Sequence, residues 1–283
     1  MSASTHDKYF PRSALRAAYK QVAPARFSIR GHLSPRLDAI IGVLGIFTFI
    51  AIWCGLSYGE VVSHFSLPTP TSIGRTFVRL YQNGQLIMPL WRSAWRVLRA
   101  LFFVTVIGVP VGMLMAAFAP VDAFLRKLIN GAKALPITGL TALVAIWMGL
   151  EEQGKVFYIF LGAIFYMIIL VKNAIVNVNE EYTRVALDLG ANRRQVMSRV
   201  LFFGALPQIW DAIAVCSGIM WTYIVLAEFL NSNATNQGLG GVLQNGLRLS
   251  EPPQVYCMLI VIAVISSLTD FILHLIRKRF FNW

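Results

Sequence analysis

Six stretches of about 20 mostly apolar residues constrain this sequence more than any other feature, because a helix of that length crosses the hydrocarbon core of a bilayer. They are predicted at residues 37–57, 94–118, 134–150, 155–175, 204–229 and 255–276, and the third is short and interrupted by proline and glycine. Only 13% of the residues are charged, against about 25% in soluble domains. The sequence therefore predicts an all-α polytopic membrane protein with six transmembrane helices.

The basic residues predict how these helices are oriented. The chain has 25 Lys and Arg against 13 Asp and Glu. Most of the cations fall in the N-terminal tail, in the second-to-third and fourth-to-fifth connections, and at the C terminus. Because cytoplasmic loops are enriched in Lys and Arg, we expect a bacterial inner-membrane protein with both termini in the cytoplasm. The excess of positive charge is then explained by the orientation of the helices and by contact with the lipid bilayer. No nucleic-acid partner is expected.

The predicted order along the chain has four parts. A basic cytoplasmic tail (1–36) precedes the first transmembrane helix (37–57), and a periplasmic segment with an interfacial helix (58–93) leads to a core of five transmembrane helices (94–283). In the periplasmic segment, Ser72 is expected to cap a short helix whose apolar side carries Ile73, Phe77 and Leu80. The core contains a polar cytoplasmic loop at 177–207.

Motifs for catalysis or nucleotide binding are missing from the sequence. It contains no GxxxxGK[ST], GxGxxG, HExxH or GxSxG pattern, and its 3 Cys and 4 His are scattered, so neither a disulfide framework nor a zinc site is indicated. We therefore expect no catalytic residue, no metal site and no cofactor on this chain. Energy for any driven process would have to come from a partner.

Two groups of polar residues lie within or beside the predicted spans. The arginines Arg92, Arg96 and Arg99 recur at helical spacing at the outer mouth of the second span; they would either reach lipid headgroups or attract an anionic solute. The fifth span carries Ser217, Trp221, Thr222 and Tyr223, which would either line a pathway or pack in the interior, and Glu228 lies near its end, where water is expected to reach it.

The loop at 177–207 has the pattern of two short capped helices. Asn177 or Asn179 is expected to cap the first helix, with Glu180 and Glu181 in its first turn. Tyr182, Val185, Ala186 and Leu189 form one apolar stripe, Gly190 ends the helix, and Asn192 caps a second helix that carries Arg193 and Arg194. Such a unit either is bound by another protein or lies on the inner leaflet of the membrane.

This loop resembles the EAA loop of ABC-importer permeases, whose pattern is E-A-A-x3-G-x9-I-x-L-P. Ala186 and Gly190 match its third position and its glycine, and Val200 stands for the isoleucine. Arg184 and Val185 stand where glutamate and alanine are usual. Other segments resemble the nitrate, sulfonate, taurine and bicarbonate branch of that family, in order: Leu67-Pro68-Thr69-Pro70, Ser93 with Arg96, Gly108-x-Pro110-x-Gly112, Leu135-Pro136, Trp147 with Gly149, Ala227-Glu228, Gly238-Leu239-Gly240 and Trp283.

The resemblance implies a type I ABC importer permease fold with a cytoplasmic coupling helix. It implies three partners: an ABC ATPase subunit that binds ATP and Mg, a second permease copy that completes a homodimer, and a periplasmic or lipid-anchored solute-binding protein. The residues that it assigns to ATPase coupling are Glu180, Glu181, Arg184, Val185, Ala186, Gly190, Ala191, Arg193 and Arg194. The solute would be a small anion.

An ion-coupled secondary carrier or channel without an ATPase is the alternative function. Such proteins carry charged or carbonyl-lined sites at mid-membrane depth and often inverted repeats. No such repeat is visible in this sequence, and charge within the spans is scarce. An intramembrane enzyme would need a His, Asp, Glu or Cys cluster, which the sequence does not indicate.

Overall fold

The computed structural model describes residues 34–149, 151–229 and 237–281, and this part of the chain is helical with no β-strand. The chain divides into two compact units, Met1–Gly59 and Glu60–Trp283. The first unit contains helix α1 (Pro35–Tyr58), which Ser34 caps by accepting a hydrogen bond from the Leu37 amide at 3.4 Å. Helix α1 corresponds to the predicted first span. Residues 1–33 of the predicted basic tail lie outside the described residues.

The second unit contains the remaining helices. In chain order these are α2 (Pro70–Gln82), α3 (Ile87–Ala117), α4 (Ala119–Ala134), α5 (Thr141–Met148), α6 (Glu152–Val176), α7 (Glu180–Asp188), α8 (Arg193–Gln195), α9 (Phe202–Phe229), α10 (Leu239–Arg248) and α11 (Pro252–Phe280). A 3-10 turn (Ile137–Leu140) precedes α5, and a π-helical segment (Val196–Leu201) joins α8 to α9.

Five helical segments of the described chain are long and apolar enough to cross a membrane, and a bent pair is a sixth candidate. The prediction of one span at 134–150 needs correction, because α4 and the segment Ile137–Met148 meet at 90°. The bend falls at Leu135, whose extended backbone (ψ 132°) is the conformation favoured before a proline. The sixth candidate span therefore includes α4, which the sequence analysis assigned to a cytoplasmic connection.

Helix α6 packs against both α3 and α9, and glycines bring these helices close together. A Cβ atom on Gly112 of α3 would lie 2.8 Å from the Ile168 carbonyl oxygen of α6, and one on Gly108 would lie 2.6 Å from Met167 Cγ. Close packing of helices across small residues is typical of membrane proteins. The G-x-P-x-G segment of the second span therefore serves helix packing, and α3 continues through Pro110.

Helix α2 differs in two details from the expected interfacial helix. Its cap is Thr69 and not Ser72, because Pro70 occupies the first helical position, where proline needs no amide partner. Its buried side carries Ile73, Thr76 and Leu80, whereas Phe77 is exposed. This side packs against α11, and Arg79 forms an ion pair with Glu251 at 2.6 Å.

We predict that Gly112→Ala lowers thermal stability, because the added methyl group would meet the backbone of α6 and force the two helices apart. Overpacking of this kind costs about 1–3 kcal/mol. Gly218→Ala is the matched control, since Gly218 lies inside α9 and a Cβ there would have no heavy atom within 4 Å. Melting curves of the purified variants in nanodiscs measure the effect, and equal melting temperatures would contradict the packing described for α3 and α6.

Candidate functional site

Two regions of the second unit contain the residues singled out by the sequence. The first, called the coupling segment, comprises residues 177–207. Asn179 caps α7 by accepting a hydrogen bond from the Glu181 amide at 3.0 Å, as predicted for one of the two candidate asparagines. Glu180 and Glu181 occupy the first turn, where the helix dipole favours negative charge. Arg184 pairs with Glu180 on the exposed face at 3.2 Å.

The bend after α7 has the predicted chemistry. Gly190 adopts a φ of 82°, a left-handed conformation that favours glycine. The Ala191 amide then bonds back to the Ala186 carbonyl at 3.0 Å. Asn192 and Gln195 form a capping box at the start of α8, with each side chain bonded to the other residue's amide. The coupling segment is therefore a well-defined helix–glycine–helix unit.

The apolar stripe of the coupling segment is uncovered. Tyr182, Val185 and Leu189 are 62%, 57% and 83% exposed. Together with Glu181, Ala186, Arg199 and Val200 they line a shallow groove between α7 and the following helical segment. Arg193 and Arg194 are exposed at the start of α8, in the same coupling segment. The arrangement presents an apolar strip bordered by charges.

The coupling segment continues directly into a span. Helical structure runs without interruption from Arg193 to Phe229, through the π-helical segment and past Pro207 inside α9. The sequence analysis predicted a fifth span that begins only at residue 204, near the end of the coupling segment. The second helix of the coupling segment and the fifth span are therefore one helical element.

The second region is a buried ion network at the end of the spans that the positive-inside analysis predicts to face outward, called the outer end below. Arg96 of α3 is completely buried. Its Nε donates to both carboxylate oxygens of Glu152 at 3.1 Å, and its Nη1 donates to Glu228 at 2.6 Å. Arg99 also donates to Glu152, at 3.0 Å. The network thus joins α3, α6 and α9.

Glu228 also holds the start of α10. One of its oxygens accepts from the Ser93 hydroxyl at 2.7 Å, and the other accepts from the Gly240 amide at 2.7 Å. The Leu239 amide donates to the Ser93 hydroxyl at 2.9 Å. A Cβ atom on Gly238 would lie only 2.0 Å from this carboxylate, so the glycine is needed for the close approach. Three segments that are distant in the sequence therefore meet in one place: Ser93 with Arg96, Ala227-Glu228 and Gly238-Leu239-Gly240.

These positions change the interpretation of several residues. Arg96 neither reaches headgroups nor faces outside solution, and Glu228, expected within reach of water, is 1% exposed. The reason is that each finds an oppositely charged partner on another helix, which compensates for the loss of hydration. Arg92 donates to the Gln237 carbonyl at 3.4 Å. An anion-attracting role for Arg92 and Arg99 stays a prediction.

The residues predicted to line a pathway do not share one face of α9. Ser217 and Trp221 are buried, Tyr223 is half-buried, and Thr222 is exposed. The Ser217 hydroxyl and the Trp221 indole nitrogen have no hydrogen-bond partner within the described part of the chain. Their role in translocation stays a prediction.

Sequence reasoning missed Glu152 as a member of the network. The available signal was a pair of acidic residues directly before an apolar span, in a chain with only 13 Asp and Glu. Across residues 34–149, 151–229 and 237–281, no group of three His, Cys, Asp or Glu side chains lies together that could hold a metal ion.

Comparison with known proteins places the chain in a family. Residues 108–282 match the family described as "Binding-protein-dependent transport system inner membrane component". The chain is 30% identical to a Bacillus subtilis (strain 168) protein that carries the name of an aliphatic sulfonates transport permease, SsuC, over 86% of this chain and 87% of that protein. It is 27% identical to the taurine transport system permease protein TauC of Escherichia coli (strain K12), over 91% and 94%.

A more distant relative and a solved structure agree with this assignment. The bicarbonate transport system permease protein CmpB of Synechococcus elongatus is 22% identical, over 83% of this chain and 87% of that protein. The fold matches a chain of the inward-facing MetNI methionine ABC transporter with a TM-score of 0.60 at 19% identity, over 68% of this chain and 94% of that chain. The predicted type I importer fold is thus confirmed. The chain belongs to the family of binding-protein-dependent transport system inner membrane components and is the permease subunit of an ABC importer.

Proposed function

We propose that two copies of this chain form a translocation pathway for a small anion, driven by ABC ATPase subunits that bind ATP and Mg. The chain itself is non-catalytic in this proposal, and a periplasmic or lipid-anchored binding protein delivers the solute. The observation that carries the proposal is the uncovered apolar stripe of the coupling segment between its charged borders. An ion-coupled carrier is not favoured, because the family is that of binding-protein-dependent permeases.

The stripe supports a protein partner on physical grounds. Tyr182, Val185 and Leu189 expose contiguous apolar surface in a segment that is otherwise rich in charge, and such patches mark interaction sites. The capped ends fix the shape of both helices before any partner binds, which lowers the entropy cost of association. Residues Glu180, Glu181, Arg184, Ala186, Ala191, Arg193 and Arg194 would surround the contact.

The continuous helix supports a route by which ATPase motion reaches the membrane. The segment Arg193–Phe229 has 37 residues, which at 1.5 Å per residue is about 55 Å. A displacement at the coupling segment would tilt this element as a whole. Its far end carries Glu228, which is bonded to α3 and α10.

The proposed solute class follows from the relatives and from charge. The names of three relatives refer to sulfonates, taurine and bicarbonate, and each of these solutes carries an anionic oxygen group. Arg92 and Arg99 supply positive charge near the outer end. We also propose that the chain lies in the inner membrane with both termini in the cytoplasm. The distribution of Lys and Arg supports this orientation.

Reconstitution tests the proposed function directly. We expect uptake of taurine, ethanesulfonate or bicarbonate into proteoliposomes that contain the chain, its ATPase and its binding protein. Uptake should require ATP on the side of the membrane that carries the ATPase. It should persist after a protonophore collapses the proton gradient. Uptake driven by an ion gradient in the absence of the ATPase would contradict the proposal.

We predict that the double change Arg193→Glu and Arg194→Glu reduces ATPase association and ATP-driven uptake. Both arginines are exposed at the start of α8 in the coupling segment, so reversal changes the charge of the proposed contact without disturbing the core. Arg248→Glu is the control, because Arg248 is an exposed cation at the end of α10, away from the coupling segment. Copurification of the ATPase measures the effect. Unchanged ATPase recovery from the double variant would contradict the proposed contact and favour the inner-leaflet alternative.

We predict that Gly190→Val uncouples ATP hydrolysis from uptake, whereas Gly190→Asn has a milder effect. The Gly190 φ of 82° costs a β-branched residue about 1–2 kcal/mol, and asparagine tolerates this region better. No heavy atom lies within 4 Å of a Cβ at this position, so the difference reports backbone conformation and not a steric clash. The ratio of solute transported to ATP hydrolysed is the measurement. Equal ratios in all three proteins would contradict a role for the bend.

A further inference from the structure

A groove lies between α3, α5 and α6 next to the ion network, and its volume is about 460 Å³. Ligand pockets in proteins measure about 300–1,000 Å³, so the groove is large enough to hold a molecule. Its lining is mostly apolar. The lining residues that carry the argument below are Arg99, Phe103 and Ile107 of α3 and Gln153, Phe157 and Phe160 of α6.

The α3 side of the groove changes from polar to apolar with distance from the outer end. Arg99, Phe103 and Ile107 follow one another at intervals of four residues, so they form one line along the helix. The line is about 12 Å long at 1.5 Å per residue. It begins beside the ion network and leads inward, because α3 starts at the outer end.

The α6 side has the same order. Gln153 lies in the first turn, and Phe157 and Phe160 follow at helical spacing, with their rings stacked at 6.0 Å between centroids. Arg99 is bonded to Glu152 at 3.0 Å, so the polar residues of the two helices lie at one level. The groove therefore has a polar outer end and an aromatic and aliphatic inner part.

Arg99 has hydrogen-bond donors available at the polar end. Its Nη2 donates to Glu152, whereas its Nε has no hydrogen-bond partner in the part of the chain that the structure describes. A guanidinium carries five N–H groups, and the Arg99 side chain is 35% exposed, so an occupant of the groove can contact it. Phosphate oxygens are acceptors that match a guanidinium well.

The surface around the groove is apolar at the depth of the span. Phe102 and Val106 of α3, next to the lining residues in the sequence, are 62% and 53% exposed. Both belong to the segment Ile87–Ala117, which is long and apolar enough to cross a membrane. Because hydrocarbon surrounds such a surface in a bilayer, the groove favours an occupant from the lipid phase over one from the outer solution.

We propose that this groove binds one phospholipid of the outer leaflet. The phosphate accepts hydrogen bonds from Arg99, and one acyl chain lies along the apolar lining residues of α3 and α6. The polar-to-apolar order of the lining matches an amphiphile whose head is at the outer surface. Because Arg99 also bonds Glu152, the bound headgroup is joined to the ion network. This inference does not depend on the proposed solute or on the ATPase.

Native mass spectrometry of the full-length chain, delipidated in detergent and titrated with phosphatidylglycerol, tests the tail of the site. We expect one phosphatidylglycerol per chain to stay bound to the wild type and none to Ile107→Trp, because the larger ring fills the groove. Ile107 is 44% exposed, so this change does not touch the core. Val106→Trp is the matched control, since Val106 is the next residue on α3 and lies outside the lining. Equal lipid retention by these two variants would overturn the proposal.

A glycolipid with the same acyl chains but without phosphate tests the head of the site. We expect the wild type to bind diglucosyl diacylglycerol about tenfold more weakly than phosphatidylglycerol, and Arg99→Gln to bind phosphatidylglycerol about tenfold more weakly than the wild type, because a charge-assisted hydrogen bond is lost in each case. Arg75→Gln, which removes an exposed cation of α2 outside the groove, should leave the affinity unchanged. Equal affinity of the wild type for both lipids would overturn the phosphate contact, even if Arg99→Gln failed to fold.

Two other occupants of the groove would give different results. Displacement of phosphatidylglycerol from the wild type by ethanesulfonate would assign the groove to the solute and overturn the proposal. A dimer of the lipid-free chain that dissociates in Ile107→Trp but not in Val106→Trp would assign the groove to a second copy and also overturn it. We expect neither result.

Discussion

The contact of Arg96 with Glu152 and Glu228 is the interaction on which the outer half of the second unit depends. An arginine that is completely buried among transmembrane helices is tolerated only if its charge and its donors are matched. Both requirements are met by residues from different helices. The positions of α3, α6 and α9 are therefore tied to one another by charge at this end, while the glycines of α3 set their approach further along.

Helix α9 connects this network to the coupling segment, where the ATPase is proposed to bind. One end of the continuous segment Arg193–Phe229 follows the Gly190 bend, and the other ends next to Glu228. Glu228 also bonds the first turn of α10. A rigid displacement at the coupling segment would therefore change the geometry around the network. In this account the coupling segment and the ion network lie at the two ends of one helical segment that moves as a unit.

Local patterns in the sequence predicted local structure well. The caps at Asn179 and Asn192 and the left-handed Gly190 follow from short-range chemistry and are confirmed, and the six apolar runs predicted the membrane fold. The ion network could not be predicted, because the Arg96 and Glu228 positions are 132 residues apart and only the fold brings them together. The bend at Leu135 also depends on context: a proline restricts its predecessor, but the angle between the two arms is set by packing.

The central claim is that this permease is moved by an ATPase held at the coupling segment. Isolation of the tagged full-length chain from native membranes, followed by native mass spectrometry, tests that claim most directly. The account predicts a complex that contains two copies of the chain and an ATPase, and that loses the ATPase when the Tyr182, Val185 and Leu189 stripe is made polar. Recovery of the chain without any ATPase from membranes that still take up the solute would contradict it.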